Sequence, residues 1–261
     1  MSNDSPIPAA TVLLVRDAPG LEVLMVERHA AIGFAGGASV FPGGKIDPAD
    51  HDPAWLDHAD GLEGLEDLER AARVACVREA FEEAGMLVAR GADGRLVARD
   101  VCAALSDRRH PVERDARLFL DLVREAGVRL ACETLVRFAR WIPPEGLHKR
   151  FDTWFFLAPT PPGQEPLEDG RETTALAWVR PADALAELAA GQRKIIFPTA
   201  RNLELLGLSP TVEAALQDAA ARPAEIVQPL MVTRDDGAFL TIPTHLGYPV
   251  TEERLESAMR N

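Results

Sequence analysis

Three glutamates that could bind a cation, Glu79, Glu82 and Glu83, fall within about one turn of the segment CVREAFEEAGM, residues 76–86. Like charges three or four residues apart repel each other on a helix surface, so the crowding needs a physical explanation. One explanation is a solvated helix face on which Arg78, four residues before Glu82, compensates the charge. The other is a metal site, because Mg²⁺ and similar hard cations take carboxylate oxygens, waters and phosphates as ligands.

The helix that would position these glutamates is predicted to run from about Asp67 to Ala84, and Gly85 stands where a glycine commonly ends a helix. At 100° per residue the glutamates project away from an apolar stripe formed by Val74, Val77, Phe81 and Ala84. We therefore predict that the stripe packs on a sheet and that the three carboxylates point together into a cleft.

The remaining elements are predicted to be strands and helices in irregular order. Strand-like runs are TVLLVR, LEVLMVER, ASVFPGG, LVRFARWI, FDTWFFLA and TALAWV. Helices are indicated between about residues 100 and 135 and by PADALAELAAG and PTARNLELLG, whereas residues 45 to about 64 have a loop composition. PLMVTRDDGAFLTIPT predicts a hairpin that turns at Asp236-Gly237. Because no βαβ unit repeats, the order favours an α/β (α+β) fold with a mixed sheet flanked by helices.

The composition limits the partners of the chain. Its 261 residues include 41 acidic and 28 basic side chains and carry a net charge of −13, which argues against binding to nucleic acid or to an anionic membrane. The cysteines Cys76, Cys102 and Cys132 show no metal-ligand spacing and are predicted to be reduced. The sequence shows no secretory signal and no membrane-spanning apolar run, so we expect a cytoplasmic protein.

Residues 78–86 match a known motif at every defined position. In that motif, the Nudix box, Gly-x5-Glu-x7 is followed by Arg-Glu-U-x-Glu-Glu-x-Gly-U, where U is apolar, and Gly44 in FPGG matches the first glycine. The chain therefore resembles the Nudix hydrolases. Gly44 and Arg78 stand 34 positions apart (78 − 44) where the uninterrupted box gives 14, so 20 residues are inserted.

The insertion leaves the first glutamate of the box unassigned. Counting forward from Gly44 leads to Asp50, and counting back from Arg78 leads to Arg70, with Glu69 one place away. In Nudix hydrolases this glutamate mostly supports the loop, so its absence from the register weakens the resemblance less than the loss of a later glutamate would.

Segments outside the box place the resemblance in a branch that has an insertion inside the box. RWIPPE followed by RFDTWFFLA, and the downstream FPTARNLELL, are typical of that branch, and the resemblance covers most of residues 10–207. It implies a Nudix fold, a mixed sheet sandwiched between helices, in a single domain over residues 1–261. The predicted parts are the box at 44–86 with an insertion at about 45–66, a helical insertion at about 100–135 and a C-terminal extension at about 190–261.

The resemblance implies metal-dependent hydrolysis of a phosphoanhydride that links a nucleoside diphosphate to another moiety. It implies Mg²⁺ or Mn²⁺ as the cofactor, coordinated by Glu79, Glu82, Glu83 and the carbonyl of Gly44. Such an ion neutralises phosphate oxygens and lowers the pKa of a bound water. The intact carboxylates favour an enzyme over the alternative of a non-catalytic Nudix-fold regulator that binds nucleotides.

The resemblance implies a general base at one of two positions. One is Glu79, which follows the box arginine, Arg78. The other is a glutamate from a later loop, for which Glu172 is the candidate and Glu168 its rival. Both loop glutamates lie in EDGRE, a charged segment that is also compatible with simple exposure to solvent.

The segment before the box resembles that of the coenzyme A diphosphatases in this family. Arg28, Gly37 and residues 41–44 stand in register with their signature, whereas Gly33 stands where the signature has a second arginine. The resemblance implies coenzyme A or acyl-CoA as the substrate, yielding 3′,5′-ADP and (acyl-)phosphopantetheine, with ADP-ribose or NADH as alternatives. The sequence leaves the oligomeric state open, with a homodimer as one alternative. The residues expected to bind this small-molecule substrate are Arg28, Gly37, Phe41, Lys45, Arg150 and Asp152.

Overall fold

The computed structural model describes residues 5–29, 36–145, 149–168 and 173–258, without the side chains of Arg28, Thr173 and Thr174. The strands are β1 (Ile7–Ala18), β2 (Gly20–Arg28), β3 (Ser39–Val40), β4 (Gly43–Lys45), β5 (Ala59–Asp60), β6 (Ala89–Arg90), β7 (Arg129–Ala131), β8 (Val136–Trp141), β9 (Phe151–Pro159), β10 (Thr173–Val179), β11 (Ile226–Val227), β12 (Leu230–Arg234), β13 (Gly237–Thr241) and β14 (Glu252–Arg254).

The helices fill the connections between these strands. The α-helices are α1 (Trp55–His58), α2 (Asp67–Ala84), α3 (Arg99–Ala104), α4 (Arg109–Arg114), α5 (Arg117–Ala126), α6 (Pro181–Ala189), α7 (Phe197–Leu206), α8 (Val212–Ala221) and α9 (Leu255–Ala258). Short 3₁₀ helices cover Pro48–His51, Ser106–Arg108, Cys132–Thr134 and Thr244–Leu246. None of the helices in the described ranges is long and apolar enough to cross a membrane.

The central sheet contains the strands that lead into the predicted site. Its order is β10-β2-β1-β9-β8-β11, with β3 added to β2 and β4 added to β1. β1 and β9 run parallel, whereas β4 and β2 run antiparallel to β1. Two three-stranded sheets, β12-β13-β14 and β5-β7-β6, lie outside it. The mixed sheet predicted from the irregular order of elements is confirmed.

The two faces of β1 pack against different apolar layers. Ala10, Val12 and Leu14 belong to a core that they share with buried residues of α2. Leu13 and Val15 belong to a second core, which contains buried residues of α7 and α8. Successive side chains of a strand point to opposite faces of the sheet, so one strand serves both layers. Helices therefore cover the sheet on both sides.

Helix α2 has the predicted bounds, and Gly85 follows it with a φ of +66°, a left-handed conformation that glycine adopts without steric cost. The surroundings of the helix differ from the prediction, because every residue from 74 to 84 is buried, the three glutamates included. The 3₁₀ helix at Pro48–His51 and helix α4 cover the charged side through hydrogen bonds. The amphipathic pattern alone could not show this second cover.

Three predicted segments need correction. Residues 45–64, predicted as a loop, contain a 3₁₀ helix, α1 and β5, because Trp55 packs against Phe119 with ring centroids 5.6 Å apart and gives the segment a core. The helical region at 100–135 includes β7, which pairs with the distant β5 and β6. The hairpin of β12 and β13 is confirmed, but Arg234 pairs with Gly237, so its turn is Asp235-Asp236.

Glu69, one place from the expected box position, holds two arginines near the start of α2. It accepts hydrogen bonds from Arg73 Nη2 at 3.0 Å and from Arg137 Nε at 3.0 Å. Burial favours the neutral acid, but the hydrogen bonds from Arg137 and Arg73 outweigh it and keep the pKa of Glu69 below its ordinary value. Glu69 therefore stabilises the fold as a carboxylate.

We expect Glu69→Gln to lower the free energy of unfolding by about 1–3 kcal/mol at pH 7 and by less at pH 3. The folded-state pKa is depressed, so this stabilisation is present above the ordinary pKa of glutamate and is lost as the pH falls through the folded-state value. Urea unfolding at both pH values measures the difference, with the exposed Glu66→Gln as the matched control. An equal decrease in the free energy of unfolding at the two pH values would contradict the role of Glu69 as a stabilising carboxylate.

Candidate active site

Two glycines of β4 allow the backbone to approach the glutamates of α2. A Cβ atom on Gly44 would lie 2.6 Å from Glu79 Cδ, so any larger residue at this position would displace the Glu79 carboxylate. The backbone N–H of Gly43 donates to Glu83 Oε2 at 2.9 Å. Glu79 and Glu83, from one helix, therefore meet the same short stretch of strand.

Arg78 connects the carboxylates of this site. Its Nη1 donates to Glu79 Oε1 at 2.9 Å and to Glu82 Oε1 at 3.0 Å. Its Nε and Nη2 each donate to one oxygen of Asp50 at 2.9 Å, and Nη2 also donates to the Lys45 carbonyl at 3.0 Å. The Arg78 side chain is only 5% exposed. One buried guanidinium thus fixes two helix glutamates against the loop that follows β4.

Asp50 is a residue of the site that the sequence analysis did not assign. It stands at the position reached by counting forward from Gly44. The 3₁₀ helix holds it in place through a capping box, in which Asp47 accepts from the Ala49 N–H and Asp50 accepts from the Asp47 N–H. The sequence did contain a signal for this role, because Asp50 is an acidic residue at the position where the box, counted from Gly44, has its first glutamate.

Negative charge exceeds positive charge in this cluster. Burial, and then the neighbouring Glu79, raise the pKa of Glu82 above its ordinary range, although Arg78 opposes the shift. Arg78 forms ion pairs with Asp50, Glu79 and Glu82, and Glu83 adds a fourth buried carboxylate. Unbalanced buried charge is costly, so a cation among these oxygens would offset the excess.

The types of ligand atom in this cluster suit a hard divalent cation. The cluster consists of carboxylate oxygens next to a glycine backbone, the ligand types that Mg²⁺ and Mn²⁺ prefer. Across the described ranges, no three His, Cys, Asp or Glu side chains stand at the spacing of ligands to one ion. Arg78 Nη1 instead contacts both Glu79 and Glu82, and Glu83 accepts from Gly43.

Arg109 of the helical insertion fixes the C-terminal end of α2. Its Nε donates to the Phe81 carbonyl at 3.0 Å and its Nη2 to the Glu82 carbonyl at 2.9 Å. Its Nη1 donates to the Leu167 carbonyl at 2.8 Å. The last carbonyls of a helix lack partners within the helix and attract cations. The buried Arg109 therefore ties the insertion and the segment near Leu167 to the glutamate-bearing helix.

The carboxylates line an open cleft of about 1130 Å³. Its lining includes β4 and most of the loop after it, together with Arg78 and the three glutamates of α2. The insertion supplies the rest of the wall, at Glu113–Arg117 and Leu120. The helical insertion is therefore part of the candidate site.

The structure separates the predicted substrate-binding residues. Lys45 is exposed and lines the cleft. Phe41 is buried in the second core, on the other side of the sheet, and Asp152 accepts two hydrogen bonds from Arg140 at 2.8 and 2.6 Å. Arg150 donates to the Pro143 carbonyl at 3.1 Å. Of these four residues, only Lys45 lines the cleft; the others contact neighbouring parts of the fold.

The structure describes only some of the other predicted site residues. Gly37 is exposed in a turn with a φ of +74°. The strand position of Arg28 is described, but its side chain and the whole of Glu172 lie outside the described residues. Glu168 is exposed and does not line the cleft. The loop alternative for the general base therefore stays a prediction.

Comparison with known proteins decides the family. Residues 65–204, more than half of the chain, match the family model described as the NUDT19 Nudix domain. The chain belongs to this Nudix family. The matched range includes residues 78–86, on which the resemblance to the Nudix box rests.

Named relatives of this Nudix protein share one description. The acyl-coenzyme A diphosphatase NUDT19 of Homo sapiens is 30% identical over 209 residues, which cover 64% of this chain and 55% of that protein. The protein of the same name from Gallus gallus is 27% identical, with 92% of this chain and 79% of the relative aligned. The alignment thus spans little more than half of the human relative.

A solved structure supports the fold assignment of this Nudix protein. A NUDIX hydrolase from Alicyclobacillus acidocaldarius superposes with a TM-score of 0.67 at 28% identity. The match covers 85% of this chain and all of that one. The Nudix fold implied by the motif is confirmed.

Proposed function

We propose that this Nudix protein is a metal-dependent diphosphatase that hydrolyses the phosphoanhydride of coenzyme A or an acyl-CoA, yielding 3′,5′-ADP and (acyl-)phosphopantetheine. The observation that carries the chemistry is the meeting of Glu79 and Glu83 at the backbone of Gly43-Gly44, with Glu82 held beside them by Arg78. The substrate class is supported by relatives described as acyl-coenzyme A diphosphatases.

The proposed cofactor is Mg²⁺ or Mn²⁺, held by Glu79, Glu82, Glu83 and the Gly44 carbonyl. When bound, such an ion neutralises phosphate oxygens and lowers the pKa of a coordinated water towards about 7. The protein's own contribution is to orient these ligands, because Arg78 positions two of the carboxylates and Asp50 fixes Arg78. Supporting partners of this kind tune metal affinity and activity.

We propose Glu79 as the general base, with Glu172, which lies outside the described residues, as the alternative. Glu79 is the glutamate next to Arg78, and its carboxylate lies against Gly44 in the lining of the cleft. The hydrogen bond from Arg78 Nη1 at 2.9 Å keeps one oxygen of this carboxylate in place. A base must lie within hydrogen-bond reach of the attacking water, and the exposed Glu168 stands outside the cleft.

A panel of diphosphates tests the proposed function. The purified chain is incubated with Mg²⁺ or Mn²⁺ and with CoA, an acyl-CoA, ADP-ribose or NADH, and kcat/KM is measured for each. We expect CoA or acyl-CoA to be cleaved with the highest kcat/KM. A preference for ADP-ribose or NADH would replace the substrate assignment. Tight binding of nucleotides without cleavage would favour the regulator and overturn the enzyme.

A substitution at the close approach tests the geometry of the site. We expect Gly44→Ala to lower kcat/KM by about 10²-fold, because the new methyl group overlaps the Glu79 carboxylate and misplaces it by about 1 Å. Steady-state kinetics and thermal unfolding measure activity and folding separately. Gly91→Ala, at a glycine with no crowded Cβ position, is the matched control. Wild-type kinetics in folded Gly44→Ala would contradict the role given to this contact.

A further inference from the structure

Arg114 is a cation of the cleft that the fold itself does not use. It is the last residue of α4 and lines the cleft. Within the described residues its guanidinium has no hydrogen bond, ion pair or ring contact. The other arginines of the cleft are paired: Arg78 binds the carboxylates, and Arg117 donates to both oxygens of Asp115 at 2.8 Å.

The acidic neighbours of Arg114 have other partners. The Glu113 carboxylate lies within hydrogen-bond distance of His110 Nδ1, at 2.9 Å, and the Asp115 carboxylate forms an ion pair with Arg117. Arg114 therefore projects a free positive charge beside paired carboxylates. An arginine with no partner among the described residues, in a cleft whose charged lining is mostly acidic, is suited to an anion that enters from solvent.

The position of Arg114 is fixed relative to the catalytic helix. Arg109, five residues earlier on the same helix, donates to the carbonyls of Phe81 and Glu82. The wall that carries Arg114 is thus anchored to the helix that carries Glu79, Glu82 and Glu83. A side chain on an anchored helix can hold a ligand at a set distance from the carboxylates.

The charge of the proposed substrate favours such a cation. A CoA-type substrate carries a diphosphate and a 3′-phosphate, whereas this chain has a net charge of −13 and a cluster of carboxylates in its cleft. The segment before the box lacks one arginine of the CoA signature, since Gly33 stands there. A guanidinium binds phosphate through two parallel hydrogen bonds, a geometry that lysine cannot reproduce.

We propose that Arg114 binds a phosphate group of the substrate and makes the helical insertion a determinant of specificity. This inference rests on the proposed function, because it assigns a phosphate contact in the same cleft. The shared chemistry is a phosphate dianion or diester, which is either the 3′-phosphate or the diphosphate of the substrate. Arg114 is thus a specificity residue from the wall that the insertion adds.

Kinetics on two substrates test the assignment. We expect Arg114→Gln to raise KM for CoA about tenfold or more, in line with a lost charged hydrogen bond, while kcat stays within about twofold. Arg114→Lys should recover part of the loss. An unchanged KM for dephospho-CoA would assign the contact to the 3′-phosphate, and a parallel rise for both substrates would assign it to the diphosphate.

The matched control is Arg99→Gln, which removes an exposed arginine of the same insertion outside the cleft. Calorimetric binding of 3′,5′-ADP to wild type and Arg114→Gln gives a readout that needs no turnover. If wild type leaves CoA intact, the proposed function fails. If wild type cleaves CoA and Arg114→Gln matches Arg99→Gln in KM for both substrates, the assignment of Arg114 is overturned.

Discussion

Replacing Glu82 or Glu83 with glutamine is expected to lower kcat/KM for CoA by about 10²-fold or more, with the fold intact. Even residues that only support metal ligands contribute about 10–100-fold to affinity or activity, so a ligand itself should contribute at least as much. A glutamine at 82 keeps an oxygen for the hydrogen bond from Arg78 Nη1. It also removes an acid whose pKa is raised by burial, so stability should not fall.

The measurement combines steady-state kinetics with calorimetric titration of Mn²⁺ and with thermal unfolding. Glu63→Gln, an exposed glutamate of the insertion within the box, is the matched control. Activity and Mn²⁺ affinity should fall together in the site variants and stay at wild-type values in the control. Full activity in a folded Glu82→Gln or Glu83→Gln protein would exclude these carboxylates as metal ligands.

Replacing Arg78 with methionine is expected to lower the free energy of unfolding by about 3–5 kcal/mol, the usual cost of removing one partner from a buried ionic network. Asp50, Glu79 and Glu82 would remain buried without their guanidinium, and Arg78 itself is only 5% exposed. Saturating Mn²⁺ should restore part of the loss, because a bound cation replaces some of the missing charge.

Urea unfolding with and without Mn²⁺ measures this effect. Arg70→Met is the matched control, since Arg70 lies on the same helix and pairs with the exposed Asp67 at 3.0 Å. A surface pair of this kind is worth about 0–1 kcal/mol. An equal, small decrease in the free energy of unfolding of both variants would mean that the Arg78 network does not hold the site together.

The sequence predicted the parts of the site that depend on local periodicity. Helix α2 and its glycine stop follow from residues 67–85 alone, and the box spacing pointed to Glu79, Glu82 and Glu83. The same pattern could not show that these glutamates are buried. Their cover comes from the 3₁₀ helix and from α4, which reach α2 through hydrogen bonds between residues 27 or 28 positions apart in the chain.

Other parts depended on contacts that no local pattern encodes. Asp50 was in register with Gly44, but its role became visible only through its two hydrogen bonds with Arg78. Phe41 belongs to the signature segment yet packs in the second core, because an apolar side chain beside a glycine turn can face either side of a sheet. The insertion wall with Arg114 had no sequence signal, since its pattern is that of ordinary amphipathic helices.

The most direct test of the account is product analysis by mass spectrometry after incubation of the chain with CoA. With Mg²⁺ or Mn²⁺ present, we predict that CoA is converted to equal amounts of 3′,5′-ADP and phosphopantetheine, and that chelation of the metal stops the reaction. CoA that stays intact with metal, or that is cleaved equally well in the presence of chelator, would contradict a metal-dependent diphosphatase.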